Sequence, residues 1–366
     1  MKFAILVNEG FEDLAAEEAG RLINAKPKEH SGFLLLDATK EEIVKYVYLT
    51  QAAKRVLLYL SSFKATSKEE ILEAVSPIDT KDIAGSFCVR STKSSYEKDI
   101  ADVIHKKLSD PKVDLDHPDS LIYFQYNRNE SVIGIDITQQ DLSKRSHRVF
   151  AHPTSIKGTL GYYLVALSGF DGAKTFLDPC AGSGTICAEA AFRATGYSLR
   201  FFERTDLFST SFFDGIDVDN FLDEHDDSID LKQAAKDTSI VAYDVDLQAV
   251  NAMKKNFKIA GIENLISVGK GDIDWLETKF EKGSIEHIAT NPPEFGKHTH
   301  MKVAKFYDML FYQTEFVLSD KGRMIILSNE KKELLELAKK YGLDGKVLRT
   351  FRLGHADKYI LSFSRK

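Results

Sequence analysis

Residues 178–185 read Asp-Pro-Cys-Ala-Gly-Ser-Gly-Thr, between an apolar run, Thr175 to Leu177, and a stretch of helical character, 185 to 194. A strand that passes through a glycine-rich turn straight into a helix is the opening step of an alternating architecture. Glycine lets the backbone turn sharply at the strand's carboxyl end and approach closely whatever lies above it. The alternation continues: strand Ser239 to Tyr243, helix Leu247 to Ala260, strand Ile266 to Lys270, strand Ile285 to Thr290, helix Val303 to Leu318, strand Arg323 to Ser328 and helix Lys332 to Tyr341. Strands Lys346 to Arg352 and Lys358 to Phe363 close the chain and are expected to form an antiparallel edge hairpin. This succession predicts an α/β fold, a mostly parallel sheet covered by helices on both faces.

At 366 residues the chain exceeds what one hydrophobic core organises, since single cores stop growing at about 250–300 residues. Three domains are expected, spanning 1–60, 61–150 and 151–366. The first reads strand (Phe3 to Val7), helix (Glu12 to Leu22), strand (Gly32 to Leu36), helix (Glu41 to Leu49), strand (Arg55 to Leu60), an order that suits a small ferredoxin-like α+β unit. The second reads helix (Lys68 to Ala74), strand (Ser86 to Arg90), helix (Glu97 to Leu108) and two strands (Leu121 to Asn127, Ser131 to Ile137). It holds no glycine-rich phosphate loop or catalytic cluster and reads as a binding module. Pro153 precedes a helical stretch from Ile156 to Leu167 that ends at Gly169. Segment 200–238 breaks the alternation with aromatics and an acidic run, and reads as an insertion after the first helix of the sheet domain, aromatics inward and acids solvated.

No run approaches the roughly 20 apolar residues of a membrane span. The N-terminus reaches Asn8 and Glu9 too soon for a secretory signal, so a cytoplasmic protein is expected. Cys88, Cys180 and Cys187 are odd in number and lack CxxC spacing, which argues against a disulfide framework and a structural zinc site and predicts buried thiols. His298 and His300 lack partners at ligand spacing, so no metal is expected. Net charge is −6, but Glu203 to Asp246 holds 13 acids against 3 bases, leaving the remainder at +4. The total therefore does not exclude a nucleic-acid partner, which responds to a local basic face.

The chemistry concentrates at the ends of successive strands. The turn at 178–185 is not a P-loop, because no GK[ST] follows, nor is it a GxGxxG fingerprint. Gly182 and Gly184 admit a bulky group against the backbone, and Asp178 suits the ammonium of a cationic amino-acid cofactor better than a pyrophosphate. Asp244, ending the second strand, sits where a nucleoside ribose finds an acceptor, while Asp246 is placed to cap the next helix. After the third strand Asp272 can bond an adenine amine and Ile273 pack on the ring. Thr290-Asn291-Pro292-Pro293 ends the fourth strand. There the Asn291 side-chain oxygen and the Pro292 carbonyl can both accept from one exocyclic amine and hold it beside the cofactor.

Residues 175–330 resemble the class I S-adenosylmethionine-dependent methyltransferases, in particular the N2-guanosine RNA methyltransferases with an (N/D)PP(aromatic) motif. Residues 61–150 resemble a THUMP domain, on Phe87-Cys88-Val89-Arg90, Val113-Asp114-Leu115, Pro118-Asp119 and the run Asp141 to Arg148. The first 60 residues are similar to the ferredoxin-like unit that precedes THUMP in those enzymes. The resemblance implies a C-terminal class I (Rossmann-like) methyltransferase domain behind an α+β ferredoxin-like unit and a THUMP domain. It implies S-adenosylmethionine as cofactor, with Asp178, Gly182 and Gly184 on the methionine part, Ala181 and Thr185 in the same cofactor-binding turn, Asp244 on the ribose, and Asp272 and Ile273 at the adenine. Asn291, which also borders the cofactor, and Pro292 would hold the target amine, with Phe295 stacking on the base.

Related enzymes with Asn in this motif act on a guanosine of the tRNA acceptor stem or on large-subunit rRNA, whereas the enzyme of the tRNA D-arm junction has Asp. The implied activity is methyl transfer to guanosine N2 in tRNA, with 23S rRNA or a noncatalytic RNA-binding role as alternatives. One departure stands out: the family places an aromatic directly after the second proline, where this chain has Glu294, with Phe295 one place later. A shifted loop would let Phe295 stack while Glu294 accepts from the guanine edge; otherwise Glu294 spoils the pocket. Lys144, Arg145 and Arg148 form the best basic cluster for RNA phosphates, though a solvated charged loop would look the same. A monomer acting on tRNA, or on rRNA, without membrane or metal is expected. NPP motifs also serve DNA and protein amines, against which the THUMP match speaks, and the SGGxDS loop of THUMP-bearing thiouridine synthases is missing.

Overall fold

The computed structural model describes residues 1–153, 155–294, 300–354 and 356–365. They group into two compact units, Met1–Ser143 with Arg200–Glu224, and Lys144–Leu199 with His225–Lys366.

The first unit carries strands β1 (Lys2–Leu6), β2 (Lys28–His30), β3 (Phe33–Asp37), β4 (Arg55–Phe63), β5 (Ser86–Ser91), β6 (Lys112–Val113), β7 (Ser120–Gln125) and β8 (Ser131–Asp136). They form one sheet in the order β2-β3-β1-β4-β8-β7-β5-β6. β1 runs antiparallel between β3 and β4, and β4 continues antiparallel onto β8, with Leu58 opposite Ile135. The sheet therefore passes without a break from the first 60 residues into the next 80. Helices Lys40–Leu49 and Lys68–Val75 both begin with a reciprocal capping box, Thr39 with Glu42 and Ser67 with Glu70, which satisfies two otherwise orphaned N–H groups in each. Ile71, Phe87, Ile100, Ile122 and Phe124 share one buried cluster, each contributing about 1.5–3 kcal/mol by leaving water.

Residues 200–224 belong to this unit. The Arg200 side chain is buried and donates to the carbonyls of Thr50 (2.6 Å) and Leu142 (2.8 Å). Phe212 packs edge-on against Phe3, and Phe213 is buried. Of the expected inward aromatics Phe202 is the exception, 70% exposed. The acids Asp214, Asp217, Asp219, Asp223 and Glu224 face solvent, as their number requires.

The second unit carries β9 (Thr175–Asp178), β10 (Ser239–Asp244), β11 (Ile266–Lys270), β12 (Ile285–Thr290), β13 (Leu318–Ser328), β14 (Leu343–Leu353) and β15 (Ala356–Arg365). Their order is β11-β10-β9-β12-β13-β15-β14. The first five are mutually parallel. β14 and β15 form the expected antiparallel hairpin, with β15 against β13 and only β14 at the edge. Successive residues face opposite layers: Leu177 and Ile288 join Tyr307, Leu310 and Phe311 of helix His300–Val317, while Phe176 and His287 pack on Phe170. Strand order reverses between β9 and β12, and at such a switch point the loops leaving the carboxyl ends diverge and open a crevice.

Candidate functional site

β9 and β12 are hydrogen-bonded neighbours, Phe176 opposite His287 and Leu177 opposite Ile288, so the glycine turn and the Asn-Pro-Pro loop leave the sheet side by side. The Thr290 hydroxyl donates to Asp178 Oδ1 at 2.7 Å, and the Cys180 N–H donates to the same oxygen at 3.1 Å. Asp178 is fully buried, and its Oδ2 has no hydrogen-bond partner among the described residues; the Thr185 hydroxyl is in the same state. Both line one hollow with Ser155, Ile156, Cys180, Ala181, Ile186 and Asn291. Burial pushes the Asp178 carboxyl up to about 7, against the Thr290 and Cys180 hydrogen bonds and with help from the nearby Asp244 charge. Burial, with the negative charges of Asp178 and Asp244, also drives the Cys180 thiol well up, so it stays protonated and is no nucleophile at neutral pH.

Asp244 spans the strand ends. Its Oδ2 accepts from the Gly182 N–H at 2.9 Å and its Oδ1 from the Asp246 N–H at 2.9 Å; each oxygen retains a second lone pair. Asp246 caps helix Leu247–Ala260 through the Gln248 N–H, as its position suggested. Asp272 is exposed, whereas Ile273 is 5% exposed and lies in the core cluster with Leu177 and Val241. Gly182 and Gly184 have φ of +54° and +86°. A Cβ on Gly184 would fall 2.4 Å from Phe257 Cζ, so the missing side chain there makes room for the neighbouring helix.

One further device was not visible in the motifs. Asn256, 2% exposed, accepts from the Phe150 N–H (2.9 Å) and donates to the carbonyls of Phe150 (3.0 Å) and Ser183 (3.0 Å). Ser155 bonds Ser183 through their hydroxyls at 2.6 Å. The arm that carries Pro153, Ser155 and Ile156 is thus tied to the glycine turn. The signal available was a polar residue on the apolar face of a helix, in step with Met253, Phe257 and Ala260.

Asn291 borders the Asp178 hollow and also a wider cavity lined by Pro153, Ser155, Ile156, Lys157, Pro292, Pro293, Glu294 and Leu353. Glu294 is ion-paired with Lys358 of β15, a residue only 5% exposed. Phe295 and His298 lie outside the described residues. Of the basic cluster, Lys144 is exposed and Arg148 half-buried, donating to the Ile156 carbonyl; burial, then the Arg145 charge, lowers the Arg148 pKa. Arg145 differs from the expectation that it meets phosphates. Its side chain is 1% exposed and forms a bidentate pair with Glu189, Nε to Oε1 at 2.7 Å and NH2 to Oε2 at 3.2 Å. Among the described residues no group of three His, Cys, Asp or Glu side chains is arranged for a metal ion, and no helix is long and apolar enough to cross a membrane.

Known proteins resemble this chain in sequence and fold. The tRNA (guanine(6)-N2)-methyltransferase of Methanocaldococcus jannaschii is 26% identical over 91% of either chain. The ribosomal RNA large subunit methyltransferase K/L of Vibrio parahaemolyticus is 24% identical over 80% of this chain, which spans only 44% of that protein's length. Among solved structures, SMU.472, determined with SAH, superposes with a TM-score of 0.78 at 22% identity, covering 100% of this chain and 98% of that one. Residues 145–357 match the family model UPF0020, the RMKL-like methyltransferase domain, and by that match over more than half its length the chain belongs to this family.

Proposed function

We propose that this chain transfers a methyl group from S-adenosylmethionine to the N2 amine of a guanosine in RNA, with the tRNA acceptor stem as target and large-subunit rRNA as the alternative. The observation that carries the reading is the sharing of one hollow by the partnerless Asp178 Oδ2 and by Asn291. A buried carboxylate oxygen and a buried hydroxyl, Thr185, both lacking partners among the described residues, fit an α-ammonium, which brings three donors. Two neighbouring proteins support it by their names, the tRNA guanine-N2 enzyme and the structure holding SAH.

S-adenosylmethionine, once bound, supplies a methyl group on a positively charged sulfur. Asp178 and Thr185 would hold its amino-acid end, and the Asp244 lone pairs left over from Gly182 and Asp246 would meet the ribose. Asp272 and Ile273 would border the adenine. The Asn291 side-chain oxygen and the Pro292 carbonyl accept the two amine protons of the target, which turns the nitrogen lone pair toward the methyl. The nitrogen, cationic once it is alkylated, would release its proton along one of those two hydrogen bonds to solvent. Positioning and electrostatics supply the acceleration. A base inside a stem must flip out to reach this cavity, and Phe295 is the candidate to stack on it.

Residues 61–150 act as the THUMP-like RNA holder behind a ferredoxin-like unit, with Lys144 and Arg148 on phosphates, in a cytoplasmic monomer. Labelled methyl transfer to unmodified total tRNA and to ribosomal RNA, followed by nucleoside mass analysis, tests the reading. N2-methylguanosine is the expected product, and transfer to neither RNA contradicts it.

A further inference from the structure

We propose that Glu294, held by Lys358, reads the Watson–Crick edge of the target purine and thereby decides that the base is guanine; this rests on the guanosine reading above. Lys358 is 5% exposed and its ammonium meets Glu294 Oε1, whereas the Glu294 side chain is 49% exposed. Lys358 belongs to β15, paired in register with Phe351 of β14, so its stem is fixed in the hairpin and its charge is offered at one point. The carboxylate is pulled to that point. Glu294 also follows two prolines that stiffen its backbone, and it borders the same cavity as Asn291 and Pro292.

Guanine presents N1–H next to its 2-amine. With the amine protons taken by Asn291 and Pro292, the N1–H still needs an acceptor, and the second oxygen of Glu294 supplies a charge-assisted one. Adenine offers a lone pair at N1, which a carboxylate repels. An aromatic side chain at this position would add stacking surface without that discrimination. Lys358 is a positioning residue in this scheme, aiming the carboxylate rather than touching the base.

The test uses the full chain as wild type, Glu294→Gln, Lys358→Met and Lys358→Arg. The substrate is a tRNA transcript with guanosine or 2-aminopurine at the nucleotide that wild type methylates. 2-Aminopurine keeps the 2-amine but has a lone pair in place of N1–H. Wild type is expected to prefer guanosine by about 10- to 100-fold in kcat/KM, the range of a charge-assisted hydrogen bond. Glu294→Gln, whose amide can donate to N1, should bring that preference to within about threefold, and Lys358→Met should lower it while Lys358→Arg retains it. Affinity for S-adenosylmethionine should be the same in all four. If Glu294→Gln and Lys358→Met slow both substrates by one common factor, the pair is only structural and this inference alone falls. If wild type transfers no methyl to guanosine in any RNA, the function reading fails and takes the inference with it.

Discussion

Replacing Asp178 with Asn probes the electrostatics of the hollow while keeping its shape. Burial holds the Asp178 carboxyl at about 7 in place of 3.8. Across that window the native state keeps a proton that the unfolded chain has already lost, so the contribution of this group to stability falls as pH rises. The interval is about 3 pH units at about 1.4 kcal/mol each, a cost of about 4 kcal/mol once the carboxyl is ionised at pH 8. Asn resembles the protonated acid and cannot ionise. Between pH 5 and pH 8 about two of those pH units are crossed, so Asp178→Asn should gain about 3 kcal/mol relative to wild type. Urea unfolding of both proteins without cofactor at the two pH values measures this difference directly. The same substitution removes the anionic partner of the ammonium, worth about 1.5–3 kcal/mol, so the Kd for S-adenosylmethionine at pH 8 should rise by about 10- to 150-fold. In wild type that affinity should weaken below pH 7, where the carboxyl must first release its proton. Equal relative stability at pH 5 and pH 8 would show that Asp178 carries no buried proton, and undiminished cofactor affinity in Asp178→Asn would show that it does not meet the ammonium.

Gly184→Ala should destabilise by about 2–4 kcal/mol, since the new methyl meets Phe257 and the left-handed backbone disfavours a side chain; a urea midpoint unchanged from wild type would show that the turn relaxes freely. Arg145→Ala leaves Glu189 buried without its cation and should cost about 3–5 kcal/mol in chemical denaturation, while Lys144→Ala should weaken RNA binding with little effect on stability. Asn256→Ala releases the Phe150 arm from the glycine turn; calorimetric titration should show weaker S-adenosylmethionine binding, with the loss of about 1–3 kcal/mol expected for buried polar groups left unmatched.

The strand and helix succession of the second unit was legible because buried parallel strands are continuous apolar runs between helix signals. Helix Leu247–Ala260 and strands Ile266–Lys270 and Ile285–Thr290 appear with the limits read from sequence. β2 and β6 were not legible: Lys28–His30 is polar and Lys112–Val113 exposed, and each exists only through its neighbour in the sheet. Segment 200–224 joined the first unit for a reason no local pattern carries, the carbonyls of Thr50 and Leu142 waiting for the Arg200 guanidinium. The candidate site residues that lie within a motif are legible in the sequence by their chemistry, because turn glycines, strand-end acids and an Asn-Pro-Pro loop are each local. Residues that act through a distant partner were missed or misread. Arg145 looked like a phosphate ligand because Glu189, 44 positions away, is the residue that claims it, and Lys358 gave no sign that it would anchor Glu294.

In the proposed reaction the Asn291 carboxamide presents an amine to a methyl donor seated over the glycine turn. Asn291→Ala separates the two parts of that arrangement through two readouts: N2-methylguanosine formed on unmodified tRNA, by nucleoside mass analysis, and the Kd for S-adenosylmethionine, by calorimetry. Product formation should vanish while the Kd stays within about twofold of wild type, since uniform cofactor binding and target positioning are separable contributions. Undiminished N2-methylguanosine from Asn291→Ala would contradict that arrangement.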